Sequence, residues 1–233
     1  MGVYLYPNNT ETPLNNAYVG EHQEGWQPWA NTIAYYPLTA DTNDYSWNGR
    51  NLTNNNITFG DKDWVTAALF NGTDAYASLW SQLSLGNTFT ILAWYWHNTW
   101  NNGMVYCQWA SASLYPSLWL WYWISSSNVS VHSWTGGNNT RLTSTVGSNN
   151  WKWVLWVFVF DNGSVSLYEN NVVTKTWTLS APWTWWEWFY VGMWRYPYNF
   201  FWWAINKLIL ENKVRTAQEI ADYYNQTKSN YWL

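Results

Sequence analysis

Three stretches of this 233-residue chain set aromatic rings beside amide, guanidinium or hydroxyl groups. They are Trp100 with Asn101 and Asn102, Trp134 with Asn138 and Asn139, and Trp194-Arg195-Tyr196 with Tyr198 and Asn199. Sugars present C–H faces that pack on rings and hydroxyls that bond to Asn, Asp and Arg, so this pairing is the chemistry of carbohydrate recognition. Trp100, Asn102, Trp134, Asn138, Trp194, Arg195, Tyr196 and Tyr198 are the candidate contacts. The same rings would equally suit packing against a chain arm or a neighbouring subunit.

Catalytic groupings are sparse. Retaining glycoside hydrolysis needs two carboxyls about 5–5.5 Å apart, which on one strand means acids alternating on one face. None of the 14 acidic residues shows that alternation. Asp61 and Asp63 come nearest but read as a turn beside Gly60, and Glu169 and Glu187 stand alone. His22, His97 and His132 are far apart and lack metal or triad spacing. Gly136-Gly137 has no following Lys-Ser/Thr and reads as a turn rather than a phosphate loop. The expectation is a protein that binds and does not catalyse.

Composition narrows the partners. Only 10% of residues are charged and the net charge is −4, so there is no basic surface to neutralise phosphates; nucleic acid and anionic membranes are not expected. The longest apolar run, Trp153 to Phe160, has strand length and falls far short of the roughly 20 residues that cross a bilayer, so membrane insertion is not expected. Cys107 is alone and makes no intrachain disulfide. The opening residues, Met1 to Pro7, read neither as a signal peptide nor as a myristoylation site.

The elements that must position these residues are strands. Residues 1 to 30 are rich in Pro, Asn, Gly and Glu, with isolated rings at Tyr4, Tyr6, Tyr18, Trp26 and Trp29 and no sustained period; they read as an extended arm suited to assembly with a neighbour. From residue 31 to 233, short runs rich in Val, Ile, Thr and aromatics recur between turn signals, the spacing of one two-sheet domain. Strands are expected at 33–38, 67–70, 75–79, 88–96, 104–109, 117–124, 129–134, 152–160, 164–169, 172–179, 189–192 and 204–211. Asp161-Asn162-Gly163 predicts a tight hairpin. Thr216 with Glu219 forms a capping box ahead of the apolar stripe Ile220, Ala221, Tyr223 and Tyr224, which predicts a short helix over 217–227.

The order of segments from Asn31 to Lys228 resembles the laminin-G-like branch of the concanavalin A-like lectin/glucanase superfamily. Ala34-Tyr35-Tyr36-Pro37-Leu38 with Asp44-Tyr45-Ser46-Trp47-Asn48-Gly49 is similar to its opening strand and turn. Ala68-Leu69-Phe70-Asn71-Gly72-Thr73-Asp74 is similar to its Phe-Asp/Asn-Gly hairpin. Trp151 to Val154, Val165 to Tyr168, and Ala204 to Leu210 with the Thr216–Tyr224 helix are similar to its central pair and close. The resemblance implies an all-β, two-sheet antiparallel jelly roll. It implies too that a structural calcium ion is possible, with Asp41, Asp44 and Asp74 as loop carboxylates; capping of turns is the other reading of the three. Three departures stand out: Trp47 and Asn171 fall on glycine places, and Trp202-Trp203 on an Asn-Gly pair. With Trp at 25 of 233 residues, two readings stay open: an aromatic surface, or positions where the letter is not the encoded residue.

The resulting expectation is a non-catalytic adhesion module on a virion or extracellular assembly, recognising a carbohydrate or glycoprotein surface. The alternative is a structural subunit of a filament or coat, self-associating through the arm and aromatic surface; a glycoside hydrolase is the third reading.

Overall fold

Residues 152–161 read Lys-Trp-Val-Leu-Trp-Val-Phe-Val-Phe-Asp, and the eight between the two polar ends are all buried. A strand apolar on both sides needs cover on both sides. One side, Val154, Trp156, Phe158 and Phe160, faces the core between two sheets. The other, Trp153, Leu155, Val157 and Val159, packs under a helix at the chain's end.

The computed structural model describes residues 30–81, 83–97, 102–110, 118–123, 128–135, 138–145, 151–178, 187–195 and 198–233. In chain order the strands are β1 (Thr32–Tyr36), β2 (Thr53–Asn55), β3 (Thr58–Lys62), β4 (Val65–Asn71), β5 (Tyr76–Leu79), β6 (Thr88–His97), β7 (Asn102–Ala110), β8 (Leu118–Trp123), β9 (Asn128–Thr135), β10 (Asn138–Thr145), β11 (Lys152–Asp161), β12 (Ser164–Glu169), β13 (Val172–Thr178), β14 (Glu187–Val191), β15 (Met193–Arg195), β16 (Tyr198–Phe200) and β17 (Trp202–Glu211). Helix α1 (Ala217–Thr227) and a 3₁₀ turn, Lys228–Tyr231, close the chain.

One sheet runs β13-β12-β11-β6-β17-β4-β3, with β1 also paired to β17; the other runs β10-β9-β8-β7-β14-β5-β2. All these pairings are antiparallel, and the result is the two-sheet jelly roll expected from sequence. The core between the sheets includes Tyr36, Phe70, Phe89, Ile91, Phe158 and Phe189. Burying each such side chain contributes roughly 1.5–3 kcal/mol. In β17 a register shift between Asn206 and Leu208, with Lys207 at φ 60°, keeps Ile205, Leu208 and Leu210 all facing inward, which strict alternation would forbid.

Helix α1 covers the outer face of the first sheet. Thr216 Oγ1 accepts from Glu219 N at 3.2 Å, and Glu219 Oε2 accepts from Thr216 N at 2.8 Å, so the capping box forms as its spacing requires. Ile220 and Tyr223 are buried, and Tyr231 stacks on Trp94 at 3.9 Å. Just before the helix, Arg215 grips Glu211 with two bonds, Nε to Oε2 at 2.6 Å and Nη2 to Oε1 at 2.7 Å.

The hairpin at Asn162-Gly163 forms, with Asp161 opposite Ser164. Strands β2, β3, β10, β15 and β16 have no counterpart in the sequence pattern. β10 is Asn-Asn-Thr-Arg-Leu-Thr-Ser-Thr, nearly all polar, and is a strand because every residue pairs with β9 at the sheet edge. Asp61 sits inside β3 and accepts from Thr66 Oγ1 at 2.7 Å, so it is a strand residue and not the turn residue expected.

Candidate functional site

Antiparallel registers decide which residues share an end of the sandwich. Asn55 pairs with Tyr76, Ala77 with Val191, Asn71 with Trp202 and Lys152 with His97. β15 and β16 pack against β7, which begins at Asn102. One end therefore gathers the β2–β3 turn, the β4–β5 turn, the start of β7 and the β15–β16 pair.

Backbone bonds tie these segments together. Gly72 N donates to Phe201 O at 3.0 Å, Phe201 N to Gly192 O at 2.8 Å, and Gly192 N to Val105 O at 3.2 Å. Gly192 has φ 81°, and a Cβ there would lie 2.2 Å from the Phe70 ring, so only glycine lets the strands close at this point.

The side chains at this end are hydrogen-bonding groups beside rings. Asn71 Oδ1 accepts from the backbone N–H groups of Thr73 (2.9 Å), Asp74 (3.0 Å) and Ala75 (3.0 Å), which shapes the β4–β5 turn. Asp74 then accepts from Asn71 Nδ2 at 2.6 Å and from Asn56 Nδ2 at 2.9 Å, linking two loops. Asn54 closes the β2–β3 turn on Ile57 with bonds of 2.8 and 3.0 Å. Half-buried Tyr76 sets its ring 6.1 Å from Tyr190 and 6.2 Å from Phe200. Asn56, Asn71 and Asp74 remain exposed, and Tyr76 pairs with Asn55 at the start of the same turn.

The eight residues singled out for carbohydrate do not share one place. Asn102 opens β7, Trp194 and Arg195 lie in β15, and Tyr198 lies in β16 opposite Arg195; all four backbones are at the end just described. Trp134 and Asn138 flank the β9–β10 turn. Asn102 pairs with Trp123 at one end of β8, whereas Ser133 pairs with Leu118 at the other, so Trp134 and Asn138 lie at the opposite end of the sheet. The side chains of these six, all of Trp100 and Tyr196, and the arm residues Tyr4, Tyr6, Tyr18, Trp26 and Trp29 lie outside the described residues. Asn54, Asn56, Asn71 and Tyr76 were missed as site residues; the Asn-Gly-Thr-Asp turn at 71–74 was the available signal.

The three aspartates considered for calcium are all bonded to the protein. Asp44 Oδ1 accepts from Tyr35 N (3.0 Å) and Ser46 N (2.9 Å), and its Oδ2 from Arg50 N (3.0 Å). Asp41 accepts from Asn43 and from Tyr45 Oη. Asp74 belongs to the separate Asn56–Asn71 network. Among the described residues no three of His, Cys, Asp and Glu come together as a metal-holding group. Asp41 and Asp44 bond backbone N–H groups as turn caps do, whereas Asp74 accepts from two side-chain amides.

No family model and no curated protein matches this chain. Solved structures share its fold. Domain 4 of AbnA, an extracellular GH43 arabinanase from Geobacillus stearothermophilus, in complex with arabinotriose, aligns at TM-score 0.68 and 19% identity over 82% of this chain and 97% of that domain. The binding domain of botulinum neurotoxin serotype D aligns at TM-score 0.62 and 12% identity over 84% of this chain, and that of Paraclostridial Mosquitocidal Protein 1 at 0.62 and 14% over the same share. The chain spans 51% and 52% of those two chains. At such identities the likeness establishes the two-sheet β-sandwich fold.

Proposed function

We propose that this domain is a non-catalytic glycan-binding module. The observation that carries it is the loop end: Asn56, Asn71 and Asp74 offer exposed hydrogen-bonding groups in the turns that flank the Tyr76 position, and the backbones of Asn102, Trp194, Arg195 and Tyr198 lie at the same end. Hydroxyls of a sugar bond to the amides and carboxylate while its C–H face rests on a ring. Supporting this reading, one structure of like fold is complexed with arabinotriose, a second is of botulinum neurotoxin type C, whose cell entry depends on interaction with two ganglioside molecules, and a third is a toxin binding domain complexed with SialylT. An adhesion role on an extracellular assembly or virion surface follows as the natural setting, with a carbohydrate or glycoprotein as partner.

The test is a glycan array followed by calorimetry with arabinotriose and with a sialylated oligosaccharide. Binding is expected to weaken at least about tenfold, some 1.4 kcal/mol, in Asp74→Ala, Arg195→Ala and Tyr198→Ala, and to survive in Asn138→Ala. Loss in Asn138→Ala alone would move the site to the opposite end, and no binding to any glycan would end the proposal.

A second reading, a subunit that builds a filament or coat, draws on strand β13. It ends the order of its sheet and exposes Val172, Val173 and Trp177, an apolar edge that suits pairing with another copy. Light scattering on the purified protein separates the two: a concentration-dependent polymer abolished by Val173→Lys supports assembly, and a monomer that binds glycan supports adhesion.

A further inference from the structure

Among the described residues, eleven that are not glycine have positive φ, and five of them are Trp: Trp47 (69°), Trp64 (66°), Trp151 (63°), Trp203 (131°) and Trp232 (58°). Asn and Asp enter this region because their short side chains bond locally; a large aromatic residue gains nothing comparable and clashes through its Cβ. The number of Trp in the group is therefore out of proportion to any preference of the residue.

Each backbone slot has a usual occupant. Lys62 pairs directly with Val65, so Asp63 (φ 48°) and Trp64 form a two-residue hairpin with both residues at positive φ. That turn is the one that calls for Asn-Gly or Asp-Gly. The same chain builds it a second time at Asn162 (46°) and Gly163 (97°), between Asp161 and Ser164, with glycine where Trp64 stands. Trp232 is the left-handed cap of the last 3₁₀ turn, its N–H donating to the carbonyls of Lys228 and Ser229, again a glycine position. Trp47 lies in the turn that Asp44 caps, two residues before Gly49. Trp151 leads into β11.

High exposure leaves little packing to offset the strain: Trp47 and Trp64 are each 85% exposed and Trp232 77%, while Trp151, at 54%, meets the rings of Trp96 and Trp203 edge-on at 5.4 and 6.3 Å. Trp203 does touch other rings, Trp202 at 5.5 Å and Trp96 at 4.8 Å, but its φ lies beyond the left-handed helical region and its indole N–H is buried with no acceptor. By contrast Trp153 is buried at ordinary φ, and its indole N–H donates to Lys62 O at 3.1 Å.

We propose that the cell that makes this protein places glycine at Trp47, Trp64, Trp151, Trp203 and Trp232. One reassigned codon would account for all five: UGA, which some genetic codes read as Trp, is one base from the glycine codon GGA. Trp153 would come from the ordinary Trp codon, UGG. None of the five belongs to the loop-end set on which the glycan reading rests, so the two proposals fail separately.

The gene and the native protein test this directly. The five codons are expected to be UGA and that of Trp153 to be UGG. Peptides of the natural protein should carry glycine at the five positions and Trp at 153, with an intact mass below 27.6 kDa. Trp found in those peptides, or UGG at those codons, would overturn the proposal. Recombinant protein gives an independent reading: the chain with Trp47→Gly, Trp64→Gly, Trp151→Gly, Trp203→Gly and Trp232→Gly together should melt higher by about 10 °C than the chain with Trp at all five. A lower Tm would count against it.

Discussion

The Phe70 ring lies where a side chain on Gly192 would begin, 2.2 Å from the position of a Cβ. Phe70 is the last apolar residue before the Asn71 turn, and Gly192 carries the backbone bonds to both Val105 and Phe201. Gly192→Ala must therefore push back a core ring at a φ of 81° as well. The expected cost is about 3 kcal/mol, seen as a lower midpoint in urea with unchanged slope.

Asn71 serves three backbone amides with one oxygen and holds Asp74 with its nitrogen. Asn71→Ala removes the turn's acceptor while leaving the core intact. Stability is expected to fall by about 1–2 kcal/mol and glycan affinity by more, because the groups of the rim lose their fixed positions. Calorimetry and thermal melting on the same variant separate the two effects.

Arg215 and Glu211 are almost wholly buried, with 9% and 2% of their side chains exposed. Removing one partner strands a buried charge, so Arg215→Met alone is expected to cost about 3–5 kcal/mol. The double variant with Glu211→Leu should recover much of that loss. A double-mutant cycle in urea measures it.

Burial of Glu219 raises its pKa, but bonds from Lys213 and from the backbone and hydroxyl of Thr216 outweigh that and hold it below its usual value. A depressed folded pKa means that the contribution to stability is complete above the unfolded pKa and is lost as pH falls through the folded one. The melting temperature of the native chain should fall on acidification across and below the ordinary carboxylate range. Glu219→Gln should flatten that part of the curve while lowering stability at neutral pH.

Asp44 spends its oxygens on the backbone amides of Ser46 and Arg50 in its own turn and of Tyr35 in β1, so it ties the turn to the strand. Chelation is accordingly expected to leave Tm unchanged, whereas Asp44→Ala should lower stability by about 1–2 kcal/mol and Tm with it. A calcium-dependent rise in Tm, lost in Asp44→Ala, would favour the calcium site that the resemblance implies.

Strand alternation, the Asn162-Gly163 hairpin and the Thr216–Glu219 cap were legible in the chain because each depends on neighbours within a few residues. Most of the long strands were legible too, since the apolar runs of β6, β11 and β17 mark themselves. β10 was not: its polar residues become a strand only because β9 offers a full ladder of partners. The loop end was not legible for the same reason. Asn56 and Asp74 are 18 residues apart, and only the pairing of β2 with β5 brings their side chains within 2.9 Å. Residue order likewise made Trp134 look like a companion of Trp194, while strand order and register put them at opposite ends of the sandwich, in different sheets. Local chemistry is written in sequence spacing; which distant residues meet is decided by strand order and register, through hydrogen bonds that no short window of residues contains.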